Sequence, residues 1–564
     1  IWHSWESYKD DGHDDRPIHK GNFNITIDFG ETLTFKAISF TQSPFKTDGI
    51  VRKFKLYIGN SIKDVTDNVN KGQFILDSYF SQDKNKKCFL NLTSAATCQF
   101  VVITTDGNGT SATGAQFDIY SDFLPYVNDV IKASELKCMK FNKDDNKVTF
   151  SFDTFEFRGA KFDITEIVEL IEDKPYLEKH LEIKCSDENV KIDYIDLDHY
   201  VLSNDDISKS WTCQFRNQLF LNLGQPFYMN SFYAGCLFPY THTMIETTSN
   251  LARIRYYSGK SFKELKKNDQ NAYVTWKTIL GASHDSQYEV VRDDFFSFIR
   301  NISLPLKFRK HYNTWYDQML SINEKSAMNS FKEIERGFTQ YGLPPIDSYV
   351  VDDGWNNYNS EKYGVYDIEV SGTTYNNEGF WEFNDKFPNN FTKLSNFSHK
   401  ILSNFGTWFG PRGGNSTAGK FGQMIEDYGK GFYNPQSDDI DVGSHKYLKN
   451  IKNFLVDLIQ TYKVNYIKFD GFANQPCFNE THDRIVGGPD GLYFYTDLWE
   501  NVIEIYEDLR KTANETGIEN FWITTKKYSS QSPFLLQWSN SVFLQNSEDK
   551  RLINFYEYST ISFD

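Results

Sequence analysis

Three regimes of hydrophobic and polar patterning follow one another along the chain. In residues 1–122 apolar and polar positions alternate: 23–28 reads F-N-I-T-I-D, 34–40 T-F-K-A-I-S-F and 54–58 F-K-L-Y-I, with a further run at 98–104. Short period-two runs between turn-forming residues predict strands and a β-sandwich. Residues 123–305 continue in this way, with strands expected at 148–152, 191–195 and 272–276 and an aromatic cluster, F-Y-A-G-C-L-F-P, at 232–239. A second sandwich core accounts for that stretch. From residue 306 the period changes. A strand at 312–316 ends in N-T-W-Y, and Met328, Phe331, Ile334 and Phe338 then recur at helical spacing behind Asn323, a suitable N-cap. Strands are expected at 346–355, 405–414, 464–470, 521–525 and 541–546. Between them, helices are marked by Leu394, Phe397 and Ile401, by Tyr447, Leu448, Ile451, Leu455 and Leu458 behind Ser444, and by Leu498, Val502, Ile505 and Leu509. Strand and helix in regular alternation predict a parallel sheet, and residues 306–564 a (β/α)8 TIM barrel. Six strands are counted, so the barrel is expected to lack its last two βα units, which would lie beyond Asp564.

The strands of this third region end alike. K-V-N-Y-I-K-F-D-G-F at 463–472 carries an apolar run to Asp470 before glycine breaks it, and I-D-S-Y-V-V-D-D-G-W at 346–355 ends in Asp352, Asp353 and Trp355. F-G-T-W-F-G-P-R-G-G at 405–414 delivers Trp408 and then Arg412 on a glycine-rich loop. The carboxyl ends of parallel barrel strands are where catalytic groups gather. A helix-capping role for Asp470 is the plainer alternative. Acids, a cation and aromatic rings at strand ends suit a sugar pocket, since hydroxyls take charged hydrogen-bond partners and a sugar's C–H face takes a flat ring. The sixth strand runs into Gln545, Asn546, Ser547, Glu548 and Asp549. It offers Asp470 a second carboxyl group, and two such groups about 5–5.5 Å apart define a retaining glycosidase. Glu548 and Asp549 both remain candidates for the acid.

Composition narrows the partners. The 564-residue chain has a formal net charge of −16 and a pI near 5.3. It is poorly suited to a polyanion, which needs clustered Lys and Arg, so no nucleic-acid partner is expected. No apolar run is long enough to span a membrane. Seven cysteines, at 88, 98, 138, 185, 213, 236 and 477, are scattered without a C-x-x-C pair. Neither a zinc site nor a dense disulfide framework is expected from that spacing.

Two resemblances sharpen this reading. Trp2, Trp5, I-T-I-D-F-G at 25–30, D-G-I-V at 48–51 and A-Q-F-D-I-Y at 115–120 resemble the discoidin-like module, coagulation-factor type C, which overlaps carbohydrate-binding module family 32. That resemblance implies sugar binding and a structural calcium. V-D-D-G-W at 351–355, W-F-G-P-R-G-G at 408–414, Y-I-K-F-D-G-F at 466–472 and Y-S-S-Q-S-P-F-L-L-Q-W-S-N-S-V-F-L-Q-N-S-E-D at 528–549 resemble glycoside hydrolase family 36. These are retaining α-galactosidases and α-N-acetylgalactosaminidases. The similarity extends over residues 123–564, because F-Y-A-G-C-L-F-P resembles the family's amino-terminal sandwich.

The second resemblance implies Asp470 as nucleophile, Asp549 as acid/base, and Asp352 and Asp353 as acceptors for the galactose O4 and O6 hydroxyls. Lys468 would reach a neighbouring hydroxyl, two residues from Asp470 on the same strand face. Trp355 and Trp408 would wall the pocket, and Arg412 would touch the sugar or order its loop. The commoner K-W-D is K-F-D here, the C-x-x-G-G-x-x-x-D stretch that carries the acid in many members is absent, and Q-N-S-E-D resembles a separate branch acting on blood-group and mucin glycans. The implied protein is extracellular or at the cell surface and releases terminal α-linked galactose or N-acetylgalactosamine without a catalytic metal or cofactor. Two alternatives stay open: a transglycosidase using the same carboxylates, and a catalytically inactive glycan-binding protein.

Overall fold

The computed structural model describes residues 2–3, 22–42, 53–61, 63, 72–79, 87–106, 113–121, 130–157, 159–212, 223–247, 250–356, 383–414, 433–434, 439–472, 476–477, 482–526 and 532–543. Trp5, the 48–51 segment, Glu548 and Asp549 lie outside them. Residues 2–120 contribute one antiparallel sheet of six strands. The runs expected as separate strands at 23–28 and 34–40 are one strand, Asn22–Gln42, paired along its length with Lys87–Asp106. The intervening Gly-Glu step, which reads as a chain break, is absorbed as an irregularity between Asp28 and Leu33. Gly30 takes a positive φ of 76° there, and its N–H donates to Asp28 Oδ1 at 2.8 Å. Phe35, Ile38, Phe54, Leu56, Leu90, Val101 and Ile103 form the core of this sheet.

Residues 138–282 build a ten-stranded antiparallel sheet and a separate sheet of Lys191–Val201, Leu251–Ser261 and His242–Glu246. The helix Tyr288–Ile302 follows, its Phe295 ring set edge-on to Tyr233 and Phe534.

Six parallel strands make up the third sheet: β1 (His311–Asn313), β2 (Ser348–Val351), β3 (Asn404–Phe409), β4 (Val464–Asp470), β5 (Trp522–Lys526) and β6 (Ser541–Phe543). Their spatial order is their chain order, with no reversal, as in a singly wound barrel wall rather than a doubly wound sheet. Among the described residues the longer helices between them are α1 (Glu324–Gln340), α2 (Thr392–Lys400), α3 (His445–Tyr462) and α4 (Leu492–Glu515). Local chemistry sets their ends. Asn323 and Ser326 close a reciprocal capping box on α1, and Ser444 caps α3. Lys463, in the left-handed region at φ 53°, turns the end of α3 directly into β4. Gly406 on β3 fits because a Cβ there would lie 2.7 Å from Tyr466 Cβ on the neighbouring strand.

The parallel sheet shares a core with the second antiparallel region. One anchor of that contact is Glu500 on α4. It accepts from Tyr256 Oη at 2.7 Å and Trp276 Nε1 at 3.0 Å, and pairs with Lys260 Nζ at 2.8 Å. Lys260 also reaches Asp497 Oδ1 at 2.7 Å.

Candidate active site

Parallel strands covered on both faces are buried along their length, and β4 is buried at every position from Val464 to Phe469. Asp470, the last residue, is the exception, with its side chain 26% exposed at the carboxyl end of the strand. Two neighbouring strands hold it. Trp408 on β3 donates from Nε1 to Asp470 Oδ2 at 3.2 Å. Lys526, the last residue of β5 and the register partner of Asp470, places Nζ 3.0 Å from Oδ1. The carboxylate is therefore fixed from both sides and remains open to solvent. That combination suits a group that must meet a ligand.

A second carboxylate sits across the sheet. Asp352, just past β2, is buried and accepts from Asn313 Nδ2 at 2.6 Å and from Lys468 Nζ at 2.9 Å, while its own N–H donates to Thr314 Oγ1 at 2.9 Å. Burial alone would push the Lys468 pKa down. The charge and hydrogen bond of Asp352, with the charge of Asp470 behind them, outweigh it and hold that pKa above the ordinary lysine value. Lys468 thus links the two carboxylates, but its hydrogen bond goes to Asp352. Among the described residues, Lys526 pairs directly with Asp470.

Asp353 is buried beside Asp352, with its N–H on Asp352 Oδ1 at 2.9 Å. Trp355 is fully enclosed, packed against Phe383, Phe391 and Phe454, and its Nε1 donates to the Trp408 carbonyl at 3.2 Å. Its visible part is to brace Trp408. Arg412 lies partly buried on the turn closed by Gly413 N–H to Gly410 O at 2.9 Å, near enough to Tyr495 for its charge to act on that phenol.

The structure thus gathers Asp352, Trp408, Lys468 and Asp470 at one end of the sheet. Asn313, Thr314 and Lys526 were not singled out from the sequence. Lys526 carries the same signal as Asp470, a charged residue at the end of a parallel strand, one position beyond the F-W-I-T-T run. A further polar cluster lies in the loops on this rim. Asp441, just before α3, and Cys477 and His482, after β4, bring one ligand atom each to within 4.8 Å of one another, all in positions with little solvent access. The expectation of no metal site was drawn from cysteine spacing, which cannot register a grouping made by the fold. Among the described residues no helix is long and apolar enough to cross a membrane.

No protein-family model and no curated protein matches the chain. Among solved structures it is similar to the glycoside hydrolase family 36 α-galactosidase AgaA from Geobacillus stearothermophilus, at 11% identity and a TM-score of 0.44 over 75% of this chain and 61% of that one. It is similar also to the α-galactosidase from Lactobacillus brevis, at 13% identity and a TM-score of 0.44 over 73% and 58%. The family 32 carbohydrate-binding module of NanJ from C. perfringens, solved with galactose, matches 17% of this chain and 64% of its own at 15% identity and a TM-score of 0.14. The chain spans less than two thirds of the length of these α-galactosidases.

Proposed function

We propose that this protein is a retaining exo-α-glycosidase that removes terminal α-linked galactose or N-acetylgalactosamine by double displacement. The observation that carries this reading is the setting of Asp470: a carboxylate at the end of a buried parallel strand, fixed by Trp408 and Lys526 and still open to a ligand. In the first step Asp470 attacks the anomeric carbon while a second carboxylic acid protonates the departing oxygen. In the second, water displaces the aspartyl ester, with that residue acting as base. Asp549 is proposed for the acid/base on its motif alone, with Glu548 as its rival. Asp352, already bonded to Lys468, supplies a charged acceptor for a sugar hydroxyl, and Asp353 a second.

The amino-terminal sheet is proposed as a glycan-binding module with a structural calcium, and the protein as extracellular or surface-attached. Both proposals rest on the sequence motifs. The test is hydrolysis of aryl α-galactoside and aryl α-N-acetylgalactosaminide. Asp470→Ala should abolish turnover, and azide should restore it by forming a glycosyl azide of inverted configuration. Asp549→Ala should spare substrates whose leaving group needs no proton. Full activity of Asp470→Ala would end this assignment.

A further inference from the structure

Asp441, Cys477 and His482 belong to none of the steps above, and their arrangement is unusual for three polar residues that merely fill space. Asp441 and Cys477 are fully buried, although they sit in loops. His482 Nδ1 lies 2.5 Å from Asp441 Oδ2 and 4.0 Å from Cys477 Sγ. One ring nitrogen therefore faces both the carboxylate and the sulfur. A nucleophile–base–orienter triad needs the two different nitrogens of the imidazole, one for each partner. Atoms converging on a common point are instead the arrangement of a metal's ligands.

The donor set is also specific. Thiolate, imidazole and carboxylate together suit zinc better than calcium or magnesium, which take oxygen ligands. Tetrahedral zinc would hold these atoms roughly 3.3–3.6 Å apart. The imidazole and carboxylate would open by about 0.8 Å, and the sulfur would close by about 0.4 Å on the imidazole and by up to about 1.3 Å on the carboxylate. Arg484 Nε, 2.8 Å from Asp441 Oδ2, neutralises the carboxylate when no cation is present and becomes its outer partner when one is bound.

We propose that Asp441, Cys477 and His482 are protein ligands of a structural site for a borderline-soft divalent cation, zinc by the chemistry of the set. Among the described residues three protein ligands are grouped, and water or another small oxygen ligand would complete a tetrahedron around the ion. The ion would join the segment before α3 to the loop that follows Asp470. The same two segments are already bridged by Asp483, whose carboxylate accepts from Ser444 Oγ at 2.6 Å and from the Lys446 N–H at 3.1 Å. A clip closing long loops restricts the unfolded chain most, so binding should also stabilise the fold.

The test is titration of the full, chelator-treated chain with cobalt(II), followed by zinc competition, read by absorption. The expected result is one equivalent of cobalt binding at micromolar concentration, with a sulfur-to-cobalt charge-transfer band that zinc removes. Cys477→Ser should lose that band, and both Cys477→Ser and His482→Gln should bind cobalt at least tenfold more weakly. Absence of saturable one-to-one binding to the unaltered chain, or a charge-transfer band that survives in Cys477→Ser, would overturn the proposal.

Discussion

Replacing Trp408 by phenylalanine keeps an aromatic ring in the β3 wall and deletes the one N–H that the indole gives to Asp470 Oδ2. A hydrogen bond to a charged group contributes about 1.5–3 kcal/mol. At 3.2 Å this one lies at the long end of the range for N–H···O, so the lower figure applies. If the bond fixes the carboxylate for attack, its loss appears in the transition state. With about 1.36 kcal/mol per decade, kcat/KM should fall about tenfold, and about a hundredfold at most. The smaller ring also leaves a void, so some stability is lost as well, and thermal melting must show the variant folded at the assay temperature. Gly410→Ala provides a second route to the same atom. Its Cβ would run into the Gly413 carbonyl oxygen and lie 2.5 Å from Cζ2 and Cη2 of the Trp408 indole, so the turn and the ring must both shift although the indole N–H is retained. Both variants should lose kcat/KM on an aryl α-galactoside. A folded Trp408→Phe enzyme within twofold of the unaltered rate would refute the positioning role.

Lys526→Met removes the cation paired with Asp470. Because that carboxylate keeps Trp408 and partial solvent access, the stability loss should be about 1–3 kcal/mol, below that for a fully buried pair. It would register as a lower melting temperature together with reduced kcat/KM, and an unchanged kcat/KM would exclude a role for the pair in turnover. Glu500→Ala removes the carboxylate that accepts from Tyr256 and Trp276 and one of the two paired with Lys260, which keeps Asp497; it should cost about 2–4 kcal/mol, while Glu500→Gln keeps an oxygen acceptor and should cost less. Equal melting temperatures for the two would contradict that ranking. His445 Nε2 lies 2.7 Å from Asp497 Oδ2. The hydrogen bond to Asp497 raises the histidine pKa against the effect of burial. The Asp497 pKa is lowered: burial would raise it, but His445 and Lys260 prevail. The histidine's contribution is present below about pH 6.5 and is lost as pH rises through its raised folded value. The aspartate's contribution is present above about pH 4 and is lost as pH falls through its lowered one. Melting temperatures measured across pH should decline on both sides of that window, and His445→Gln should flatten the alkaline decline. An identical alkaline slope in the variant would refute the linkage.

What the sequence made legible is what depends on local periodicity. The helical-face residues Tyr447, Leu448, Ile451, Leu455 and Leu458 are all buried on α3, and Ser444 caps it as its position suggested. β4 ends at Asp470, where its apolar run stops. What was not legible depends on partners distant in the chain. The first strand of the parallel sheet ends at Asn313, not Tyr316, because Asn313 Oδ1 accepts the Trp315 N–H at 2.8 Å and starts a short helix. The same side chain then donates to Asp352, 39 residues on. Lys468 read as the companion of Asp470 because two residues on one strand face are neighbours. Its charge does act on Asp470; what the sequence did not reveal is its hydrogen bond to Asp352, two strands away. The long strand Asn22–Gln42 read as two because glycine marks a break locally, whereas pairing with Lys87–Asp106 carries the strand through. Asp441 and His482, 41 residues apart, share no spacing that a motif could register.

The most direct measurement is to trap the covalent intermediate with a 5-fluoro galactosyl fluoride, digest the protein and locate the sugar by mass spectrometry. The account predicts one stoichiometric label, carried by the peptide containing Lys468 to Gly471 and attached to Asp470. A label on any other carboxylate, or turnover of the aryl α-galactoside with no trappable intermediate, would contradict it.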